Sequence, residues 1–299
     1  MKEVLLIIDF GSQYTQLIAR RVRELNVCSK IIPYNKFSQV QSNVKGVILS
    51  GSPSSVCQEG YPNLDLHKII GKVPILSLCY GAQLIANTLG GEVGASNSRE
   101  YGRSKLFIKE TNPLFEDVQN NSQVWMSHGD TILNLPEDAI LIGSTEDVKN
   151  AAFSLIHSKT FGLQFHPEVY HTDYGVKILS NFLIKICNYS QDWTSASFVE
   201  STIGKLKKQI KDDKVVMGLS GGVDSTVAAT LLNQAIGANL HCVFVDNGLL
   251  RKHEYDDVMN AYKNIGLNII GVDASKQFLS KLSGVKDPEK KRKIIGSAF

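Results

Sequence analysis

The sequence has 299 residues, 43% hydrophobic and 20% charged, with a formal net charge of +3; this is the balance of a globular protein of one large or two ordinary domains. So small a net charge gives no ground for a nucleic-acid partner or a membrane partner, and no apolar run approaches the length of a membrane span. Cys28, Cys57, Cys79, Cys187 and Cys242 are scattered without CxxC spacing, which points to a reducing compartment without a disulfide framework and to a cytoplasmic location.

The chain opens on Met1-Lys2-Glu3-Val4-Leu5-Leu6-Ile7-Ile8-Asp9, a buried-strand pattern cut short by a charge rather than a signal peptide. Strands are predicted at Val4–Ile8, Gly46–Leu49 and Pro74–Leu78, with helices at Thr15–Leu25 and Ala82–Leu89. That alternation is the pattern of an α/β sheet wound with crossover helices. Residues 105–109, 123–126, 139–142, 151–156 and 161–165 read as further strands, and Gly175–Ile186 as a helix. The stretch Asn188–Ser195 is polar and aperiodic and marks a boundary: a first domain over 1–188, a linker over 189–196 and a second domain over 197–299. Helix Ala196–Ile210 leads into a second α/β pattern, with strands Val215–Leu219, Leu240–Val245 and Leu267–Val272 and helices Ser225–Ile236 and His253–Ile265. The run Asp287-Pro288-Glu289-Lys290-Lys291-Arg292-Lys293 is densely basic and reads as a surface loop.

Two places carry chemistry. At Leu76-Ser77-Leu78-Cys79-Tyr80-Gly81-Ala82-Gln83 a strand ends, a small residue follows the cysteine by two positions, and a helix begins. This is the pattern of a nucleophile elbow, where a sharp turn exposes the side chain and the helix N-terminus favours thiolate. The residues alone leave equal room for a cysteine that merely packs. Gln164-Phe165-His166-Pro167-Glu168 offers a base with an orienting carboxylate, and the turn Leu49-Ser50-Gly51-Ser52-Pro53 offers a backbone N–H at Gly51 which, with that of Tyr80, forms a candidate oxyanion hole.

Cys79, His166 and Glu168 in this arrangement resemble the triad of the class I glutamine amidotransferases. Asp9-Phe10-Gly11-Ser12-Gln13-Tyr14-Thr15-Gln16, Trp125-Met126-Ser127-His128-Gly129-Asp130 and Val169-Tyr170-His171-Thr172 narrow the likeness to the amidotransferase domain of the glutamine-hydrolysing GMP synthases, over residues 1–188. Ser77 and Ser52 stand where that family often has glycine. The resemblance implies a flavodoxin-like open sheet, attack of Cys79 on the glutamine amide, and His128 and Asp130 as candidate walls of the glutamine pocket.

The second place is Ser220-Gly221-Gly222-Val223-Asp224-Ser225, between the strand Val215–Leu219 and a helix start. A glycine loop there aims backbone N–H groups at an anion. It lacks the G-K-[ST] ending of a Walker A loop. It is similar to the PP-loop of the N-type ATP pyrophosphatases, a Rossmann-like fold of the adenine nucleotide alpha hydrolase type. By that resemblance Gly221, Gly222 and Val223 offer N–H groups to pyrophosphate, Ser220 and Ser225 offer hydroxyls, and Asp224 holds Mg²⁺. Asp246, or the backbone of Val245 and Gly248, is implied near the nucleotide, and Asp287–Lys293 resembles a lid over ATP.

Together the two resemblances imply ATP-dependent amination of xanthosine monophosphate (XMP) to GMP with ammonia from glutamine. AMP, pyrophosphate and glutamate would be co-products. In the family the pyrophosphatase part continues beyond the lid into a C-terminal domain that supports a homodimer and XMP binding. These 299 residues by themselves are therefore expected to hydrolyse glutamine and to make no GMP. The competing readings are an ammonia donor or docking protein with an incomplete pyrophosphatase remnant, and a non-catalytic nucleotide binder, which the reactive residues at both sites disfavour.

Overall fold

In the computed structural model, which describes residues 3–299 and only the backbone of 96–100, the chain packs as two units, Met1–Thr194 and Ser195–Phe299. Met1 and Lys2 of the opening apolar pattern lie outside the described residues. The strands of the first unit are β1 (Val4–Asp9), β2 (Ser29–Pro33), β3 (Val44–Leu49), β4 (Ile75–Leu78), β5 (Glu92–Ile108), β6 (Ser122–Asn134), β7 (Ala139–Ser144), β8 (Ala152–Leu155) and β9 (Thr160–Leu163). They form one sheet in the order β2-β1-β3-β4-β9-β8-β7-β5-β6. The first five in that order are parallel, and the remainder run antiparallel. The parallel part has the flavodoxin-like order, and its direction reverses between β1 and β3.

The continuous apolar runs of the parallel strands follow from cover on both faces. Leu5, Ile7, Ile48, Leu76 and Leu78 turn to one side, against Ile18, Ala19 and Val22 of α1 (Thr15–Glu24). Leu6, Ile8, Val47, Leu49 and Ile75 turn to the other, against Leu84 and Ile85 of α2 (Tyr80–Thr88). Helix α3 (Gly175–Ser180) runs on as a wider π turn over Asn181–Ile186 and adds Ile178, Leu179 and Phe182 to the α1 side.

Three strands differ from the expectation. β2 falls where none is predicted, the strand expected at 105–109 is the end of the 17-residue β5, and the one expected at 123–126 extends over the 13-residue β6. β5 pairs antiparallel with β6, with a register shift between Ala95 and Glu100.

The second unit holds a parallel sheet of β10 (Val215–Leu219), β11 (Leu240–Asp246) and β12 (Ile269–Asp273), in that order. Its helices are α4 (Ser195–Ile210), α5 (Val223–Ile236), α6 (Glu254–Asn264), α7 (Ser275–Leu282) and α8 (Pro288–Ala298). Leu219, Ala229, Leu240, Cys242, Phe244, Tyr262 and Leu267 form its core.

The basic run 287–293 is not a loop but the start of α8. Asp287 Oδ1 accepts from Lys290 N at 2.8 Å, Pro288 occupies the first turn, and Glu289 pairs with Arg292 at 2.7 Å. An N-cap carboxylate followed by proline is a helix start, and it overrides the loop reading of the charges.

Candidate active site and nucleotide loop

Cys79 follows the last residue of β4 and takes φ +50°, ψ −108°, a strained conformation for a residue with a Cβ. Its N–H donates to Leu163 O at 2.7 Å, which fastens the turn to β9. The first turn of α2 presses on the end of β3. A Cβ on Gly81 would lie 2.8 Å from Leu49 Cβ and 2.9 Å from Leu49 O, so only glycine fits there. Ser77 is accommodated because its hydroxyl is buried and donates to Phe161 O at 2.8 Å.

β9 delivers His166 and Glu168 to the same place. His166 N donates to Trp125 O at 3.0 Å, and Thr172 Oγ1 donates to His166 O at 2.6 Å while accepting from Trp125 N at 3.1 Å. These bonds pin the histidine backbone to β6. His166 Nδ1 lies 2.7 Å from Glu168 Oε1, and the two side chains are 4% and 1% exposed. The other ring nitrogen remains for Cys79, which lines the same cavity and whose nearness raises the His166 pKa. Tyr14 meets the imidazole edge-on, with ring centroids 5.0 Å apart.

A cavity of about 530 Å³ opens over the cysteine, large enough for an amino-acid substrate. Gly51, Cys79, Tyr80, His128, Asp130 and His166 are among its walls. It lies beyond the carboxyl ends of β1, β3 and β4, at the reversal of strand order where open α/β sheets bind ligands. A Cβ on Gly51 would stand 3.7 Å from His166 Cε1, which shows how near that turn comes to the triad. Ser52 Oγ accepts from Ser54 N at 3.1 Å and so shapes the turn instead of blocking it.

Residues to which the sequence reading gave no role also converge here. Thr172 is the backbone clamp. Gln83 Nε2 donates to Asp130 O at 2.7 Å and to Gln164 Oε1 at 3.2 Å, and Gln164 Nε2 donates to Cys79 Sγ at 3.7 Å. Their sequence signal was adjacency to the motifs, which carries no geometry by itself.

In the second unit, Ser220–Gly222 link β10 to α5. Gly221 has φ +77°, and a Cβ there would also lie 3.2 Å from Val258 Cγ2. Ser220 Oγ and Ser225 Oγ are 3.0 Å apart across the loop, and Ser225 Oγ donates to Gly222 O at 3.0 Å. Val223 and Asp224 form the first turn of α5 with the carboxylate exposed, so the N–H groups of that turn and the two hydroxyls are grouped at one helix start. Asp246 ends β11, where Oδ1 accepts from Gly248 N at 2.8 Å. Asp273 ends β12 in register with Asp246, and the sequence reading had passed it over. All three strands therefore present their carboxyl ends on one edge. Among the described residues no cluster of three or more His, Cys, Asp or Glu is arranged to hold a metal, and no helix is long and apolar enough to cross a membrane.

Residues 6–186 match the family model described as glutamine amidotransferase class-I. The chain belongs to the class-I glutamine amidotransferases. Residues 195–294 of this amidotransferase match a second family model, NAD synthase. Along all of its length it is 58% identical to the glutamine-hydrolysing GMP synthase of Cytophaga hutchinsonii and 57% identical to that of Christiangramia forsetii. It spans 59% of the length of each. A solved Thermoplasma acidophilum protein, assigned as one subunit of a GMP synthase, is 33% identical with a TM-score of 0.54, covering 67% of this chain and 98% of its own. The fold is thus a class-I amidotransferase sheet followed by the start of a PP-loop unit.

The electrostatics of the amidotransferase site separate its two histidines. Burial opposes charge on His166, but the Glu168 carboxylate and the contact with Cys79 outweigh it and hold its pKa well above the ordinary histidine value. Glu168 Oε2 makes no hydrogen bond among the described residues, so the charge of that carboxylate is directed at His166 through Oε1. His128 is pushed down to about 4, mainly by burial; the Asp130 carbonyl at 2.9 Å from Nδ1 works weakly against this, and the nearby His166 reinforces it.

Proposed function

We propose that the first unit hydrolyses glutamine by acyl transfer to Cys79. The observation that carries this reading is the His166–Glu168 pair at 2.7 Å, with His166 and Cys79 lining one cavity and Cys79 at a strained elbow. The Cys79 thiolate attacks the side-chain carboxamide carbon, and the C–S bond forms as the carbonyl electrons move to oxygen. The N–H groups of Gly51 and Tyr80 receive that oxygen. His166, as imidazolium, gives its proton to the leaving nitrogen and ammonia departs. His166 then takes a proton from water, which attacks the glutamyl thioester and releases glutamate and the thiolate. Glu168 orients the ring and stabilises its charge. His128 and Asp130 border the glutamine pocket.

The second unit, in this reading, belongs to a synthetase that binds ATP and spends the ammonia. The Ser220–Ser225 loop cradles the pyrophosphate end of ATP, with N–H groups from Gly221, Gly222 and Val223 and hydroxyls from Ser220 and Ser225. The exposed Asp224 beside that helix start would hold Mg²⁺ together with the substrate, since Mg²⁺ sites commonly combine one or two carboxylates with substrate phosphates. The ion would offset phosphate charge. The relatives' names support GMP as the product and glutamine as the nitrogen source, and the family resemblance implies XMP as the acceptor.

The test is Cys79→Ala in this chain. It should lose ammonia release from glutamine and keep Mg-ATP binding at the second unit. Retention of the glutamine-dependent reaction would overturn the division of labour.

A further inference from the structure

The Cys79 sulfur has a polar neighbour on the side away from the cavity. Gln164, immediately after β9, is fully buried and points Nε2 at Sγ across 3.7 Å. A side-chain amide can present either oxygen or nitrogen to a neighbour, so its polarity has to come from its other partners. Here that polarity is fixed at the far end of the chain of contacts. The Asp130 main-chain oxygen can only accept, so Gln83 turns Nε2 to it at 2.7 Å. The second hydrogen of the same nitrogen goes to Gln164 Oε1 at 3.2 Å. Gln164 is left with its N–H toward the sulfur. Gln83 is itself 3% exposed, so water does not compete strongly for these bonds. The other oxygen close to the sulfur, Ser127 O at 3.7 Å, accepts from a thiol and repels a thiolate.

Resting on the assignment of Cys79 as nucleophile, we propose that Gln164 is a further catalytic residue, donating a buried N–H to the Cys79 sulfur from behind, and that Gln83 is the positioning residue that fixes its polarity. The donor stabilises the anionic sulfur before it attacks and again when it leaves the thioester, when the C–S bond breaks and the electron pair returns to sulfur. In the neutral thiol and in the thioester the sulfur is a poor acceptor, so the bond strengthens as charge builds on sulfur, when the thiolate forms and again as it leaves the thioester. Gln164 is neutral, so its removal leaves the titratable surroundings of Cys79 in place: His166 and Glu168 after β9, His128 and Asp130 on β6, Tyr80 at the start of α2 and Tyr14 before α1.

The test is the pH dependence of Cys79 alkylation by iodoacetamide in the full chain, located by peptide mass spectrometry, for the native protein and Gln164→Met. Methionine has similar length and no N–H donor. The pH of half-maximal alkylation should rise by about one unit, the tenfold effect expected from losing one hydrogen bond to a charged atom. With glutamine, kcat should fall about tenfold while KM stays within about twofold, because Gln164 does not line the cavity. An unmoved alkylation profile, or a rise in KM with kcat unchanged, overturns the proposal. Alkylation needs no glutamine, so a shifted profile without ammonia release from either protein would fault the glutaminase reading instead. Should Gln164→Met fail to fold, the native protein gives the answer by nitrogen-15 NMR. The Gln164 side-chain amide protons must move when Cys79 is alkylated, and an unmoved pair of resonances overturns the proposal.

Discussion

Glu168 Oε1 lies 2.7 Å from His166 Nδ1, two residues along the chain, and both side chains are closed off from solvent. The Pro167 between them and the bonds from Thr172 and Trp125 hold the backbone that places them. Glu168 is in turn tied to α1 by Arg21 Nε, which donates to its main-chain oxygen at 3.0 Å. The relationship leaves Nε2 as the free ring nitrogen and raises the His166 pKa, which in the proposed mechanism would keep the ring protonated for the departure of ammonia. Glu168→Gln removes the charge and keeps the shape. We expect ammonia release to fall by roughly 10²- to 10⁴-fold, the range for impaired general acid–base catalysis, with the unfolding midpoint little changed. A loss below about threefold would remove Glu168 from the mechanism.

Gly81 provides a steric test of the elbow. Its Cα is the contact between α2 and the end of β3. Gly81→Ala forces a methyl against the backbone of Leu49, and overpacking of this kind costs about 1–3 kcal/mol. The expected result is a lower thermal midpoint together with a lower kcat, because the displaced helix carries Tyr80 and Cys79 with it. Unchanged values of both would contradict the packing described.

The buried His128 predicts an acid sensitivity. Its folded pKa is about 4 against an ordinary value of 6.5. Between those limits the unfolded chain binds the extra proton, so stability is full above about pH 6.5 and declines as pH falls toward 4. The greatest loss is about 3 kcal/mol, from one pKa unit being worth about 1.4 kcal/mol. Urea unfolding over that range should show the decline, and His128→Gln should flatten it. A native slope no different from that of the variant would refute the assignment.

At the second unit, Gly221→Ala places a Cβ at φ +77° and 3.2 Å from Val258. Asp224→Ala removes only a carboxylate. Both should weaken Mg-ATP binding by the whole protein in calorimetry. The Asp224→Ala loss should shrink when Mg²⁺ is omitted, because the native protein loses the same contact. Equal losses with and without Mg²⁺ would exclude the metal role.

The parts of this fold that were legible in the sequence are those with local causes. Val4–Ile8 and Gly46–Leu49 read as buried strands because both of their faces are covered, and Cys79 stood out because a strand end, a small residue and a helix start coincide there. β2 was not legible: Ser29-Lys30-Ile31-Ile32-Pro33 is a short edge strand with only two adjacent isoleucines and a closing proline, and it is a strand because β1 offers it hydrogen bonds. The first half of β5 is polar and aperiodic and is held by its pairing with β6. α8 was misread although its signal was present, since the charges of Lys290–Lys293 drew more weight than the cap Asp287-Pro288. Gln83 and Gln164 were illegible as a pair for a different reason. Which end of an amide meets the sulfur is decided by Asp130 O, a main-chain atom on another strand.

In the proposed reaction Cys79 carries the glutamyl group. The direct measurement is to mix the protein with glutamine, quench in acid during turnover, and map the acyl group by peptide mass spectrometry. A glutamyl adduct is expected on the peptide containing Cys79 and absent from Cys79→Ala, which should also release no ammonia. An adduct on another residue, or ammonia release that survives Cys79→Ala, would contradict it.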